Sequence, residues 1–197
     1  SIADSAFEDC VNMTSVTIPD SVEVIENRAF RDCINLESLV MSNNISEINS
    51  YAFRGCKSLT SFTVSASMDR IGDNAFDGCT GLTSLTILDG IQTIGDYAFF
   101  ECGKLTEIVF ADGVKHIGNQ CFIYCSNLEY VDYGESLETA GSFCFGYCEK
   151  LTEVNLPATF KTISGLMYDG CDGLVHVVLP DSVEVIGPDG TYSQKIL

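Results

Sequence analysis

The sequence predicts an α/β solenoid, a stack of short coils with brief extended segments on one side and short helical turns opposite. Three observations carry this. A small residue followed by an aromatic recurs every 23 residues, a cysteine stands three residues after each aromatic, and apolar residues between these landmarks alternate with period two. The pairs are Ala6-Phe7, Ala29-Phe30, Ala52-Phe53, Ala75-Phe76 and Ala98-Phe99, continued as Cys121-Phe122, Cys144-Phe145 and Met167-Tyr168. The cysteines are Cys10, Cys33, Cys56, Cys79, Cys102, Cys125, Cys148 and Cys171, followed three residues on by Met13 and then by Leu36, Leu59, Leu82, Leu105, Leu128, Leu151 and Leu174. No insertion breaks the register of the eight copies.

Each element of a coil has a local cause. Leu82-x-x-Leu85-x-Ile87 ends in the alternation of a short strand with one buried face. Pro19, Pro157 and Pro180 follow the equivalent strands, which should stop there because proline lacks the N–H a ladder needs. Asp89-Gly90 and Asp112-Gly113 read as turns, and Ile91–Ile94 as a second extended piece. Gly72, Gly95, Gly118, Gly141 and Gly187 close that piece, where a sharp bend of the backbone is expected. Asp96-Tyr97-Ala98-Phe99-Phe100-Glu101-Cys102 reads as one or two helical turns with Asp96 near the N-cap. The Ala, Phe, Cys, Leu and alternate strand residues should all point inward. One coil cannot bury that face alone, so neighbours must stack. At about 4.8 Å per strand, eight coils span on the order of 40 Å. The expectation is one domain over residues 2–187, with an irregular tail at 188–197.

Composition bounds the function. The 197 residues include 10 Lys and Arg against 28 Asp and Glu, a formal charge of −18, and 46% are hydrophobic. That apolar share supports a core. The acidity argues against nucleic acid and against an anionic membrane surface, both of which recruit clustered Lys and Arg. No apolar run approaches the roughly 20 residues that span a bilayer, so no membrane insertion is expected, and Ser1-Ile2-Ala3-Asp4 does not read as a secretory signal.

The unit Ile71-Gly72-Asp73-Asn74-Ala75-Phe76-Asp77-Gly78-Cys79-Thr80-Gly81-Leu82-Thr83-Ser84-Leu85-Thr86-Ile87 closely resembles the BspA-like (Treponema-type) leucine-rich repeat, over nearly the whole chain from Ile2 to Gly187. The resemblance implies a right-handed leucine-rich repeat array with its strands on the concave face. It also implies an extracellular or cell-surface location in host-associated bacteria or some protists, and adhesion to host matrix proteins, other cells or surfaces. The sequence departs from the more familiar leucine-rich repeat, which stacks asparagines after the strand. Here that row is Ser21, Asn44, Ser67, Gly90, Gly113, Ser136, Thr159 and Ser182, so no asparagine ladder is expected. The first copy begins in mid-unit, and the register fails at Pro188-Asp189-Gly190-Thr191-Tyr192. Either the chain is a piece of a longer array, or its open end packs end to end against another array.

Three surfaces are candidates for binding. Outward strand residues are small in the first four copies (Ser15, Thr17, Ser38, Val40, Ser61, Thr63, Ser84, Thr86) and change character afterwards. Glu107, Tyr130, Asp132, Glu153, Asn155 and His176 then appear, an aromatic, acid and amide mixture that suits a protein or glycan ligand, with solvated drift as the competing account. A second candidate is the helical edge, where Phe100, Ile123, Tyr124, Phe143 and Tyr147 replace mostly polar residues and form either a contact patch or packing against a neighbouring array or another domain. The third is the row Asp20, Asn43, Asp89, Asp112, Glu135 and Asp181, in which ordinary turn chemistry outweighs a hard-cation site.

Chemistry finds little support. Equivalent cysteines in adjacent coils have parallel side chains with Cβ atoms near 5 Å apart, beyond the usual disulfide range, so a buried, reduced cysteine ladder is expected. Cys121, Cys125, Cys144 and Cys148 form the one cluster with zinc-like composition, but its spacing is loose, and no metal or other cofactor is predicted. His116 and His176 lie 60 residues apart in non-equivalent positions, and there is no glycine-rich phosphate loop, so no enzyme is expected. Asn12-Met13-Thr14 and Asn44-Ile45-Ser46 match the glycosylation acceptor pattern, which matters only in a eukaryotic secretory pathway. The leading expectation is a non-catalytic surface module binding an extracellular protein or glycan, with Tyr130 as anchor. The alternative is a structural spacer or an intracellular protein-interaction scaffold.

Overall fold

The computed structural model describes residues 1–63 and 67–187. The expected tail at 188–197, with its register break at Pro188, lies outside the described residues. Every coil contributes two short strands. The first series, which alternates exposed and inward residues, is β1 (Ser15–Thr17), β3 (Ser38–Val40), β5 (Ser61–Thr63), β7 (Ser84–Ile87), β9 (Glu107–Phe110), β11 (Tyr130–Asp132), β13 (Glu153–Asn155) and β15 (His176–Val178). The second is β2 (Val24–Ile25), β4 (Glu47–Ile48), β6 (Arg70–Ile71), β8 (Thr93–Ile94), β10 (His116–Ile117), β12 (Thr139–Ala140), β14 (Thr162–Ile163) and β16 (Val185–Ile186). All pairs are parallel and keep the repeat register, as in Ser84 opposite Glu107 and Ile71 opposite Ile94.

The two series differ in continuity. The second forms one 8-stranded sheet from β2 to β16, and an isolated bridge between Ile2 and Ile25 extends it to the first coil. The first divides into β1–β3, β5–β7–β9–β11 and β13–β15. β13 still lies beside β11, so the outward rows run on across that break.

The expected helical turns do not form, and there is no helix among the described residues. The backbone bonding explains this. Around Phe30, the N–H groups of Ala29, Arg31 and Cys33 donate within the coil to Glu26, Arg28 and Phe30 carbonyls at 3.3, 3.0 and 3.3 Å. The intervening N–H groups of Arg28, Phe30 and Asp32 donate instead to Ser50, Ala52 and Arg54 of the next coil, at 3.1, 2.8 and 2.7 Å. A helix needs every N–H for its own i−4 carbonyl. Here alternate donors are taken by the neighbouring coil, and the segment becomes a run of tight turns. Left-handed φ values of 55° at Arg28 and 57° at Asp32 mark the third residue of successive type II turns, and the same pair of positions is left-handed from Ser5 and Asp9 through Leu166 and Gly170. The turn side thus forms a third hydrogen-bonded seam between coils.

The core is a column with few variations. Phe7, Phe30, Phe53, Phe76, Phe99, Phe122 and Phe145 stack on one another at centroid distances of 5.1 to 5.4 Å with planes within 9°. Such offset stacks contribute about 0.5–1.5 kcal/mol per pair beyond burial. Among the described residues Tyr168 ends the column at 5.7 Å, and the hydroxyl of this one phenol in the stack meets that of buried Tyr133 at 3.0 Å. The inward Ala, Phe, Cys and Leu residues of the second to seventh coils are buried as expected. In the first coil Phe7 remains 38% exposed because no described coil precedes it.

The glycines ending the second strand have a different cause from the expected bend. None of Gly72, Gly95, Gly118 and Gly141 has a positive φ. A Cβ on Gly95 would lie 2.3 Å from Asp73 Oδ1 and 2.7 Å from the Asp73 nitrogen, and one on Gly118 would lie 2.5 Å from the Asp96 nitrogen. These glycines let neighbouring coils close on a ladder of side chains. Asp73 Oδ1 accepts from the Asp96 N–H at 3.1 Å, Asp96 Oδ1 from Asn119 N–H at 2.7 Å, and Asn119 Oδ1 from Ser142 N–H at 3.0 Å.

Candidate interaction surface

The strand series β1 to β15 presents its alternate residues to solvent in two straight rows. In β1 to β7 the exposed positions carry Ser, Thr and Val. From β9 onward the first row reads Glu107, Tyr130, Glu153, His176, and the second Val109, Asp132, Asn155, Val178. The structure therefore brings all six predicted strand residues onto one face, and all six are exposed. Tyr130 is the centre of the first row. The residue is 53% exposed and pairs in register with Glu107. Asp132 and Glu153 are held by local bonds: Asp132 Oδ1 accepts from Gly134 N–H at 3.1 Å, and Glu153 Oε1 accepts from Asn155 Nδ2 at 2.8 Å. Just before the row, Lys150 reaches Glu129 at 3.9 Å.

The turn edge behaves differently from its sequence reading. Ile123, expected on the contact patch, is only 4% exposed and belongs to the interior. Phe100, Phe143 and Tyr147 are half-buried, and Tyr124 alone is largely open at 44%. The rings pack on one another: Tyr97 on Phe100 at 5.9 Å, Phe100 edge-on to Tyr124 at 5.8 Å, and Tyr124 stacked on Tyr147 at 4.9 Å. Tyr147 in turn covers Gly170, where a Cβ would lie 2.5 Å from its ring. Phe100, Tyr124 and Tyr147 thus contact one another across coils, while Tyr124 keeps an open surface. In the earlier coils the same edge is ionic, with Arg31 bridging Glu8 and Asp32 at 3.0 Å each and Arg54 meeting Asp77 at 2.9 Å. Burial pushes the Asp77 carboxyl up despite Arg54 beside it.

In the row of turn acids, Asp112 Oδ1 accepts from the Glu135 N–H of the next coil at 3.1 Å, a bond between coils and not the local turn bond expected of it. The next row contains no asparagine ladder but is nonetheless bridged. Asn44 donates to the Asp20 carbonyl at 2.8 Å, Ser67 to the Asn43 carbonyl, Thr159 to the Leu137 carbonyl at 2.7 Å, and Ser182 to the Phe160 carbonyl at 2.8 Å. Hydroxyls here do for the stack what stacked amides do elsewhere. His116 lies on the other sheet, with Nδ1 2.9 Å from Thr139 Oγ1, remote in sequence and sheet from His176.

The profile of the BspA type leucine rich repeat region matches residues 1–129 and 70–196, in 6 copies. The chain belongs to the BspA-type leucine-rich repeat family. Among solved structures it is similar to a leucine rich repeat protein of Treponema pallidum, at 28% identity and TM-score 0.67 over 88% of this chain and 73% of that one. It also resembles a leucine rich cell surface protein of Faecalibacterium prausnitzii at 21% identity and TM-score 0.53 over 96% of this chain. A leucine-rich repeat protein of Eubacterium ventriosum aligns at 18% identity and TM-score 0.62 over 94% of this chain. This chain spans 63% and 46% of the latter two. The comparison with curated proteins gives no match.

In this BspA-type array the cysteine position has a specific task. From the second coil to the eighth, the thiol at this position donates to the phenylalanine carbonyl of the preceding coil: Cys33 to Phe7 at 3.1 Å, Cys56 to Phe30 at 3.3 Å, Cys79 to Phe53 at 3.2 Å, and onward to Cys171 on Phe145 at 3.0 Å. All ten cysteines are free. Burial pushes Cys33 up to about 11 and Cys125 to about 12, and Cys121 and Cys144 rise well above the ordinary range for the same reason, whereas the hydrogen bond from Cys148 lowers Cys171. At Cys33, Cys121, Cys125 and Cys144 those environments hold the thiols protonated at neutral pH. Among the described residues no group of three or more His, Cys, Asp or Glu is arranged around a common metal position.

Sequence reasoning missed two structural rows: the thiol-to-carbonyl bonds and the Asp73–Asp96–Asn119 ladder. The second had a visible signal, because Gly95, Gly118 and Gly141 each follow by 22 residues an Asp or Asn, at 73, 96 and 119.

Proposed function

We propose that this chain is a non-catalytic, surface-displayed adhesion module that binds an extracellular protein or glycan on the strand face of β9 to β15. One observation carries the reading. The outward rows are small and neutral through β7, then become Glu107, Tyr130, Asp132, Glu153, Asn155 and His176, with an open tyrosine ring at the centre. A repeat array gains nothing in its own packing from that change, because these side chains point away from the core. Exposed aromatics among polar groups are the composition of binding hot spots. Membership in the BspA-type family supports an interaction module, and the name of the Faecalibacterium neighbour supports a surface location.

The test is binding of this chain to a panel of extracellular matrix proteins and glycans at low and physiological salt. A specific ligand whose binding is lost in the Tyr130→Ala/Asp132→Ala variant, with Ser38→Ala/Ser61→Ala unaffected, supports the reading. Binding that survives the first variant moves the site off this face. The absence of any ligand at either salt favours a spacer.

A further inference from the structure

We infer that the strand face of β9 to β15 recognises cationic side chains, and that its partner is a basic, extended polypeptide segment with an arginine or lysine lying on Tyr130 between Glu107 and Glu153. The inference rests on the binding reading above and names the partner class. Register supplies the geometry. Glu107, Tyr130 and Glu153 occupy the same position of three successive coils, so the backbones carrying the two glutamates lie about 5 Å to either side of the one carrying the tyrosine. A guanidinium over the ring is attracted by its π face and by both acids at once.

The chain contains an internal precedent. Tyr51, on the turn edge, is covered by Arg28 at 5.6 Å and Arg54 at 5.8 Å from its ring centroid, one of them from the neighbouring coil. There the cation is supplied in cis. Around Tyr130 the flanking coils supply acids instead, and no cation lies over its ring among the described residues. The second row adds Asp132, and the position preceding Tyr130 adds Glu129. Asp132 and Glu153 each accept one neutral hydrogen bond, which orients the carboxylate while leaving its charge unpaired. Around these strands the bases are His176 in the row, Lys150 beside Glu129, and Lys104, exposed at the position equivalent to Lys150 two coils earlier. With a net charge of −18 behind it, the face steers basic partners and repels acidic ones. Crossing the four strands covers about 14 Å, the reach of four to five extended residues.

The test uses a fluorescent ten-residue peptide of alternating Arg and Ser, with an alternating Glu and Ser peptide as counterpart, measured by anisotropy at 50 and 300 mM NaCl. The Arg peptide should bind, weaken with salt and outcompete the Glu peptide. Tyr130→Ala should weaken it about two- to five-fold, and Glu107→Gln/Glu153→Gln by about ten-fold at 50 mM salt. The control pair Glu23→Gln/Glu47→Gln removes the same charge away from this face, and should change binding less than two-fold. Equal losses in the two charge pairs, or no loss in Tyr130→Ala, overturn the inference. Should a matrix protein or glycan bind through Tyr130 while the Arg peptide neither binds nor competes, the partner class is wrong and the adhesion reading stands. Should nothing bind this face, both fall.

Discussion

Gly95 and Gly103 provide an internal contrast, because ordinary expectation gives both the same sign and the structure gives them opposite signs. Neither has a left-handed φ. Replacing such a glycine by alanine usually stabilises by about 0.4–1 kcal/mol, through lost freedom of the unfolded chain. At Gly103 the nearest atoms to an added Cβ are Ser126 Oγ at 3.9 Å and the Tyr124 carbonyl at 4.0 Å, ordinary contact distances. The equivalent positions of other coils already hold Ile34, Lys57 and Thr80. At Gly95 the Cβ meets Asp73 Oδ1 at 2.3 Å, Asp73 N at 2.7 Å and the Gly72 carbonyl carbon at 2.8 Å. The carboxylate can swing away, but only by releasing the Asp96 N–H it holds at 3.1 Å, and the two backbone atoms cannot move without the coil. Glu26, Asn49 and Ser164 fill this position elsewhere, so coils can be spaced to accept a side chain, and the cost falls in the overpacking range of about 1–3 kcal/mol. With a urea slope of roughly 2 kcal/mol per molar, Gly95→Ala should lower the unfolding midpoint by about 0.5–1.5 M. Gly103→Ala should raise it by about 0.2–0.5 M. A Gly95→Ala midpoint at or above that of the unmodified chain would refute the close-approach argument.

Two further outcomes follow from the core. Tyr168→Phe strands the Tyr133 hydroxyl in the interior and should cost about 1–3 kcal/mol, whereas Tyr133→Phe/Tyr168→Phe should fall within about 1 kcal/mol of the unmodified chain. A double-mutant cycle in urea reads this, and additive losses would remove the hydroxyl pair as an explanation. The cysteines set an alkaline limit. Unfolded thiols lose protons near pH 9, while folded Cys33 and Cys125 keep theirs to about 11 and about 12, so rising pH favours the unfolded chain. Stability should be intact below pH 8 and fall between pH 9 and 11 by up to about 1.4 kcal/mol per pH unit for each such thiol. Urea midpoints at pH 8 and 10 check it, with Cys33→Ala/Cys125→Ala reducing the slope; equal midpoints for the unmodified chain would contradict it.

Much of this molecule is written in one dimension because the repeat makes it so. A 23-residue period with Phe, Cys and Leu in fixed columns admits one solution, stacked coils with those columns inside, since no single coil buries its apolar face. Period-two alternation then determines which strand residues face outward, and Glu107, Tyr130, Asp132, Glu153, Asn155 and His176 emerge together for that reason. What escaped the sequence was decided between coils. Ala-Phe-x-x-Cys has helical spacing, yet alternate N–H groups go to the next coil, and the helix is replaced by turns. Ile123 and Tyr124 are adjacent in sequence, but the first is drawn inside and the second stays largely exposed beside Phe100 and Tyr147. Glycine at 95 or 118 looks like a bend until the neighbouring aspartate occupies the space of its missing Cβ. The chain alone determines the columns, because side-chain burial follows the backbone period. Only the tertiary structure decides how those columns bond to one another, because each such partner lies one whole coil away.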